Sequence, residues 1–166
     1  IYGQRNEPMV NSPELSTILK LARSAVAGKP FTVSEVNQPF PTDYGAEMIP
    51  ILASYASLQD WDAVFFYTFE TKVAGEWTPM ITDHFDMTLD PVAMAQMPVG
   101  AMIFLRGDVS AAKTMLTRSY STDQISEAAR LPRAAMPYYT PGFDVRIPLV
   151  HGSRVSCLDC KPSLPA

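Results

Sequence analysis

KPFTVSEVNQPFP, residues 29–41, holds a short apolar and β-branched run, Phe31 to Ser34, that stops on an acidic residue and breaks into a loop rich in Asn and Pro. The run reads as a buried strand. A carboxylate at the mouth of such a strand is costly beside apolar neighbours unless it is solvated, paired or put to use. Glu35 is therefore either a solvated loop residue or cap partner, or a functional acid.

Helical patterns flank this strand. Before it, Leu15, Ile18, Leu19, Leu21, Ala22, Ala25 and Val26 recur at helical spacing, with Ser12 as N-cap and Gly28 as the stop, which predicts a helix from Pro13. After it, Met48, Ile51, Leu52, Tyr55 and Leu58 share one face of a second helix over Tyr44 to Gln59, with Thr42 or Asp43 as cap. The near-continuous apolar run WDAVFFYTFE, residues 61–70, suits a strand covered on both faces. Helix, strand, helix, strand with short links is the order of a parallel sheet or barrel.

Further along, Asp90-Pro91 opens a helix disturbed at Pro98, whose end at Met102 to Leu105 also fits a strand. Residues 106–121 read as turn then strand, Ser121 to Ala129 as a short helix, and FDVRIPLVHGSRVS, residues 143–156, as loop with one or two strands. Fifteen prolines in 166 residues predict much irregular backbone in the tail.

Composition narrows the function classes. With 47% hydrophobic and 18% charged residues the chain can bury a real core. A net charge of -4 and scattered basic residues argue against a nucleic-acid surface. No apolar run reaches the ~18 residues needed to cross a bilayer, so no membrane partner is expected. Cys157 and Cys160 form one CLDC motif, and the only histidines are His84 and His151. A metal site would want two further ligands, and a redox motif would want a following helix, where Pro162 stands instead. No metal or cofactor is expected; a zinc or thiol role for the cysteine pair is the alternative.

GKPFTVSEVNQPFP followed by YGAEMIPILASYASLQDWDAVFFYTF resembles the last two βα units of clan A glycoside hydrolases, (β/α)8-barrel enzymes that retain anomeric configuration. The resemblance runs over about residues 13–105 and is most specific over 28–70. It implies an α/β fold: a partial (β/α)-barrel, the last two βα units, in residues 1–107, followed by a small β-rich C-terminal region, 108–166. It implies that Glu35, closing the seventh strand, is the nucleophile, and that Tyr67 and Phe69 line the sugar site. Side chains at the C-terminal ends of barrel strands point into the shared mouth where catalysis is assembled, which suits Glu35.

Other residues near that mouth are candidates for an oligo- or polysaccharide substrate. Asn37 and His84 suit sugar hydroxyls, and Trp77, in the following loop, could stack on a sugar ring; Glu70, Asp83 and Asp86 are candidate subsite carboxylates. Trp61 opens the second strand at the far end and is expected in the core. A retaining glycosidase also needs a second carboxyl ~5–5.5 Å from the nucleophile. The clan carries it in an Asn-Glu pair three βα units earlier, whereas Asn6-Glu7-Pro8 lies 28 positions before Glu35, space for one helix and a short strand. Glu7 is not assigned as the acid, Glu47 is expected on a helix surface, and the chain offers no identifiable acid/base. Two readings from other classes stand beside the hydrolase: a non-catalytic carbohydrate-binding or self-assembling module, and a metal or thiol protein. Open strand edges predict a homo-oligomer or association with the missing part of a barrel.

Overall fold

The computed structural model describes residues 6–70, 80, 81, 83–128, 130 and 143–159. Its elements are α1 (Thr17–Ala22), β1 (Thr32–Val36), α2 (Met48–Leu58), β2 (Ala63–Phe66), α3 (Pro91–Leu105), β3 (Met115–Tyr120), α4 (Thr122–Ala128) and β4 (Gly152–Leu158), with single 3-10 turns at Met9–Asn11, Pro13–Leu15 and Ile147–Leu149. Among the described residues helices alternate with two short parallel sheets, β1–β2 and β3–β4, which close no barrel. No helix among the described residues is long and apolar enough to cross a membrane.

The core lies between β1–β2 and the helices. Ile18 and Ala22 of α1, Val33 of β1, Leu52 and Ala56 of α2, and Trp61 form one buried cluster, against which Val36, Val64, Phe66 and Phe104 pack. Trp61 is 4% exposed, as its sequence position predicts, and meets Phe31 with ring centroids 5.2 Å apart. A second cluster of Met48, Ile49 and Met87 takes in Val36, Phe66, Ala93 and Met97. The residues of β1 and β2 that touch these helices are thus Val33, Val36, Val64 and Phe66, and α2 and α3 cover one face of the sheet.

Several boundaries differ from the sequence reading, each for a local reason. Ser16, not Ser12, caps the first helix, its hydroxyl accepting from the Leu19 amide. That helix ends at Ala22 rather than near Gly28 because the next backbone is claimed by β4: Ala27 N–H donates to the Val155 carbonyl at 2.8 Å and Val155 N–H to the Ala25 carbonyl at 2.7 Å. A helical backbone points its N–H groups along its own axis and could not make this bridge. The second helix starts at Met48, where Glu47 provides no side-chain cap. Residues 91–105 are helical throughout, with the Asp90 carboxylate accepting from Val92 and Ala93 and Pro98 tolerated inside. Ser121 caps α4, its hydroxyl accepting from the Gln124 amide at 3.0 Å.

Gly100 is the buried contact point between α3 and α2. A Cβ there would stand 2.7 Å from Ile49 Cγ2, so the two helices approach because this position has no side chain.

The region from Asp108 contains α4 as well as β3 and β4, and it is bolted to the C-terminal end of α2. Gln59 is fully buried. Its side-chain nitrogen donates to the carbonyls of Pro148 and His151, both at 2.7 Å, and its oxygen accepts from Ser153 N–H at 2.9 Å. Arg154 reaches the carbonyls of Gln59 at 2.6 Å and Asp60 at 3.0 Å. Burial lowers the pKa of its guanidinium, opposed by the charges of Asp60 and Asp62.

Gln59→Leu keeps the size of the side chain but strands two carbonyls and one amide in the interior. Unmade buried hydrogen bonds cost about 1–3 kcal/mol each, and partial relaxation leaves an expected loss of about 3 kcal/mol. Urea denaturation measures it; a loss below about 1 kcal/mol would show that β4 is held by something else.

Candidate functional site

Side chains alternate across a strand, so Val33 facing the helices should put Glu35 on the same face and Val36 opposite. The pairing does otherwise. Val33 lies beside Val64 and Val36 beside Phe66, so Ser34 and Glu35 together oppose the single residue Phe65. This is a β-bulge, and it shifts the alternation by one: Val33 and Val36 both face the helices, while Ser34 and Glu35 are both exposed. The extra residue moves a carboxylate off the core face. Bulges of this kind re-aim side chains and recur beside functional sites.

Glu35 therefore sits on the face of β1–β2 that no helix among the described residues covers. Phe65 is on that face, 59% exposed, and Tyr67 follows Phe66 with 48% exposure. Glu35 makes no hydrogen bond or ion pair with any described residue.

Beyond the strands the chain forms a second small ladder at the same end. Tyr67 N–H still donates to the Val36 carbonyl at 3.0 Å, and then residues 67–69 turn to the segment 85–88. Thr68 N–H reaches the Phe85 carbonyl at 2.9 Å, Met87 N–H the Thr68 carbonyl at 3.1 Å, and Thr88 N–H the Phe69 carbonyl at 3.1 Å. This departure ends β2 at Phe66 instead of Glu70. The Phe40–Pro41 and Tyr67–Thr68 peptides are cis. Tyr67 and Phe85 meet edge to face with centroids 5.8 Å apart, and Phe69 and Phe85 are also exposed.

Asn37 is the fastening of this mouth. Its side-chain nitrogen donates to the Tyr67 carbonyl at 2.6 Å and the Phe85 carbonyl at 3.0 Å, and its oxygen accepts from the Gln38 amide at 2.8 Å. Both amide protons are used on backbone. The sequence suggests Asn37 as a donor to sugar hydroxyls; here it joins the end of β1, the end of β2 and the segment 83–88. His84 is exposed, and its Nδ1 lies 2.7 Å from the Phe40 carbonyl, which can only accept, so Nδ1 carries a proton.

The remaining candidates spread out. Trp77 and Cys160 lie outside the described residues, as does the side chain of Cys157. Glu70 is exposed. Asp83 accepts from Phe85 N–H at 2.8 Å, and Asp86, 3% exposed, accepts from the Thr88 amide and hydroxyl at 2.9 and 2.6 Å, so both shape the 83–88 turn. Glu47 accepts from Met9 N–H at 2.7 Å and anchors the N-terminal segment. Among the described residues no group of three or more His, Cys, Asp or Glu is placed to hold a metal ion.

The structure thus puts Glu35 on one sheet face with Phe65 and brings Asn37, Tyr67, Phe69 and His84 to the ends of the same two strands. The sequence reading singles out neither Phe65 nor Phe85; the run VFFYTF, residues 64–69, holds the signal for Phe65, but which of its alternate residues face away from the helices needs the bulge. No family model matches the chain, and no curated protein or solved structure matches it.

Asn37→Ala strands the Tyr67 and Phe85 carbonyls at a partly exposed position, with an expected cost of about 1–2 kcal/mol. Hydrogen exchange at the Thr68 and Met87 amides is expected to speed up about tenfold, because those amides close the ladder that Asn37 holds. Unchanged protection at both would show that the ladder stands without it.

Proposed function

We propose that this chain forms part of a retaining glycoside hydrolase of the clan A type, contributing the last two βα units of the barrel and the nucleophile Glu35. The observation that carries the reading is the bulge at Ser34–Glu35, which places a carboxylate on the uncovered sheet face at the C-terminal end of a parallel strand. In a parallel barrel that face is the interior, and the C-terminal strand ends are where the chemistry sits. The neighbouring aromatic side chains Phe65, Tyr67, Phe69 and Phe85 suit the apolar faces of sugar rings.

The substrate class is an oligo- or polysaccharide. Glu35 attacks the anomeric carbon and the glycosidic oxygen leaves, giving a covalent glycosyl ester that water then cleaves. Proton donation to the leaving oxygen requires a second carboxyl, which another part of the barrel supplies. Two further features support such an association. An apolar groove of about 280 Å³ runs along β2 under α3, lined by Ile49, Ala53, Val64, Phe66, Met97 and Phe104. The helix α3 itself carries no charged residue and leaves Val92, Val99, Met102 and Leu105 exposed, the pattern of a helix buried on all sides.

A second reading, a carbohydrate-binding or self-assembling module without chemistry, is favoured by the lack of any described donor to Glu35. One experiment separates the two. A 2-deoxy-2-fluoro glycoside with a dinitrophenolate leaving group needs no protonation to depart and traps the glycosyl ester. Mass spectrometry is expected to find the fluorosugar on the peptide containing Glu35, and none on Glu35→Gln. Sugar binding by calorimetry with no adduct across a panel of such glycosides would favour the binding module.

A further inference from the structure

The charges of the chain are unevenly spread. Of its 13 Lys and Arg, one, Lys72, lies between Pro30 and Leu105, against ten of its 17 Asp and Glu. That span holds β1, α2, β2 and α3, the elements that carry Glu35 and the aromatic side chains around it. Lys72 and Glu76 lie outside the described residues and are opposite in sign.

The two ends of the β1–β2 sheet handle this charge differently. At the end far from Glu35, where Asp62 N–H meets the Phe31 carbonyl, a cation is present: burial lowers the pKa of the Arg154 guanidinium, and the charges of Asp60 and Asp62 oppose that shift. At the Glu35 end, residues 33–40, 64–70 and 80–90 contain no Lys or Arg, and their one ionisable base is His84. Their carboxylates are Glu35, exposed Glu70, and Asp83, Asp86 and Asp90, which accept from backbone amides. Lys20 stands on the helix side of β1, lining a cleft with Ile18, Met48 and Leu52.

Recognition of a sugar carboxylate or sulfate is ordinarily built on Arg or Lys, whose charge and donors match the anion. Here an anion would meet Glu35 instead. Glu35 and Ser34 together oppose Phe65 in the register of the two strands, so carboxylate and ring are neighbours across a strand spacing of about 4.8 Å. The exposed Phe65 ring offers an apolar surface and no counter-charge. A nucleophile at the anomeric carbon of a pyranose is within one ring width of every substituent, so an acidic group on that sugar stands close to a like charge. In a partly exposed site such repulsion weakens binding about tenfold.

We propose that the sugar seated against Glu35 and Phe65 is uncharged: this site takes a neutral glycan and rejects uronic and sulfated ones. The inference rests on the reading of Glu35 as a nucleophile and adds to it the charge class of the substrate.

The test uses pairs of dinitrophenyl 2-deoxy-2-fluoro glycosides that differ only at C6, glucoside beside glucuronide and galactoside beside galacturonide, at about pH 8, where imidazoles in water are neutral. Mass spectrometry is expected to find Glu35 labelled about tenfold faster by the neutral member of a pair, with the gap shrinking as NaCl rises from about 20 to about 500 mM. A uronide that labels as fast as its neutral partner, or a gap indifferent to salt, overturns the proposal. Calorimetric titration of the whole chain with neutral and uronic oligosaccharides reads the same preference without chemistry. There Glu35→Gln, at an exposed position that bonds no described residue, is expected to narrow the preference about threefold or more by removing the like charge; an unchanged preference overturns the proposal. If no glycoside labels Glu35, the hydrolase reading fails by itself: tighter binding of the neutral oligosaccharide still supports the charge class, and equal or tighter binding of the acidic one overturns it. Neither label nor binding overturns both.

Discussion

Val33 and Val36 are three residues apart on one strand and must both face the helices, which strict alternation forbids. Burying Val33 is worth about 1.5–3 kcal/mol, and half-burying Val36 adds a part of that, while turning Glu35 toward that apolar face would cost several kcal/mol unless it found a partner. One extra residue opposite Phe65 resolves the conflict, and both terms favour it. The position of the candidate nucleophile is thus a consequence of core packing: the same displacement that seats Val36 between α2 and β2 delivers the carboxylate to the opposite face.

Two buried or half-buried amides then hold the fold at opposite ends of the central βαβ unit. At one end Asn37 joins two strand ends to the segment 83–88 and sets the aromatic side chains of Tyr67 and Phe85 against each other. At the other, Gln59 satisfies three backbone groups of the C-terminal region and brings β4 against the end of α2. In each case a neutral side chain with both donor and acceptor meets irregular backbone that no ladder or helix could satisfy. The buried guanidinium of Arg118, charged and a donor only, donates to the Arg23 carbonyl and lies 5.1 Å from the Tyr120 ring.

The two faces of β1–β2 differ sharply. One is closed by α1, α2 and α3; the other shows Thr32, Ser34, Glu35 and Phe65 to solvent. Exposed hydrophobic side chains stand on both sides of this sheet, Phe65, Tyr67, Phe69 and Phe85 at the uncovered face and strand ends and Val92, Val99, Met102 and Leu105 on α3. The proposed hydrolase site and the proposed association with further barrel elements both draw on this asymmetry.

Periodicity alone determined that the chain alternates helices with apolar strands, that α3 opens at Asp90-Pro91, and that Trp61 is core, because these depend on neighbours within a turn or two of sequence. Glu35 was legible as a residue needing an explanation, since a carboxylate ending an apolar run is anomalous in any fold. Tertiary structure alone decided the rest. The shortening of α1 came from a bridge between Val26 and Val155. Asn37 changed from a candidate sugar donor to a backbone clamp through partners 30 and 48 positions away. Gln59 acquired its role through carbonyls about ninety positions distant. A side chain's donors and acceptors are written in the sequence, but which of them remain free is settled only when distant backbone arrives to claim them.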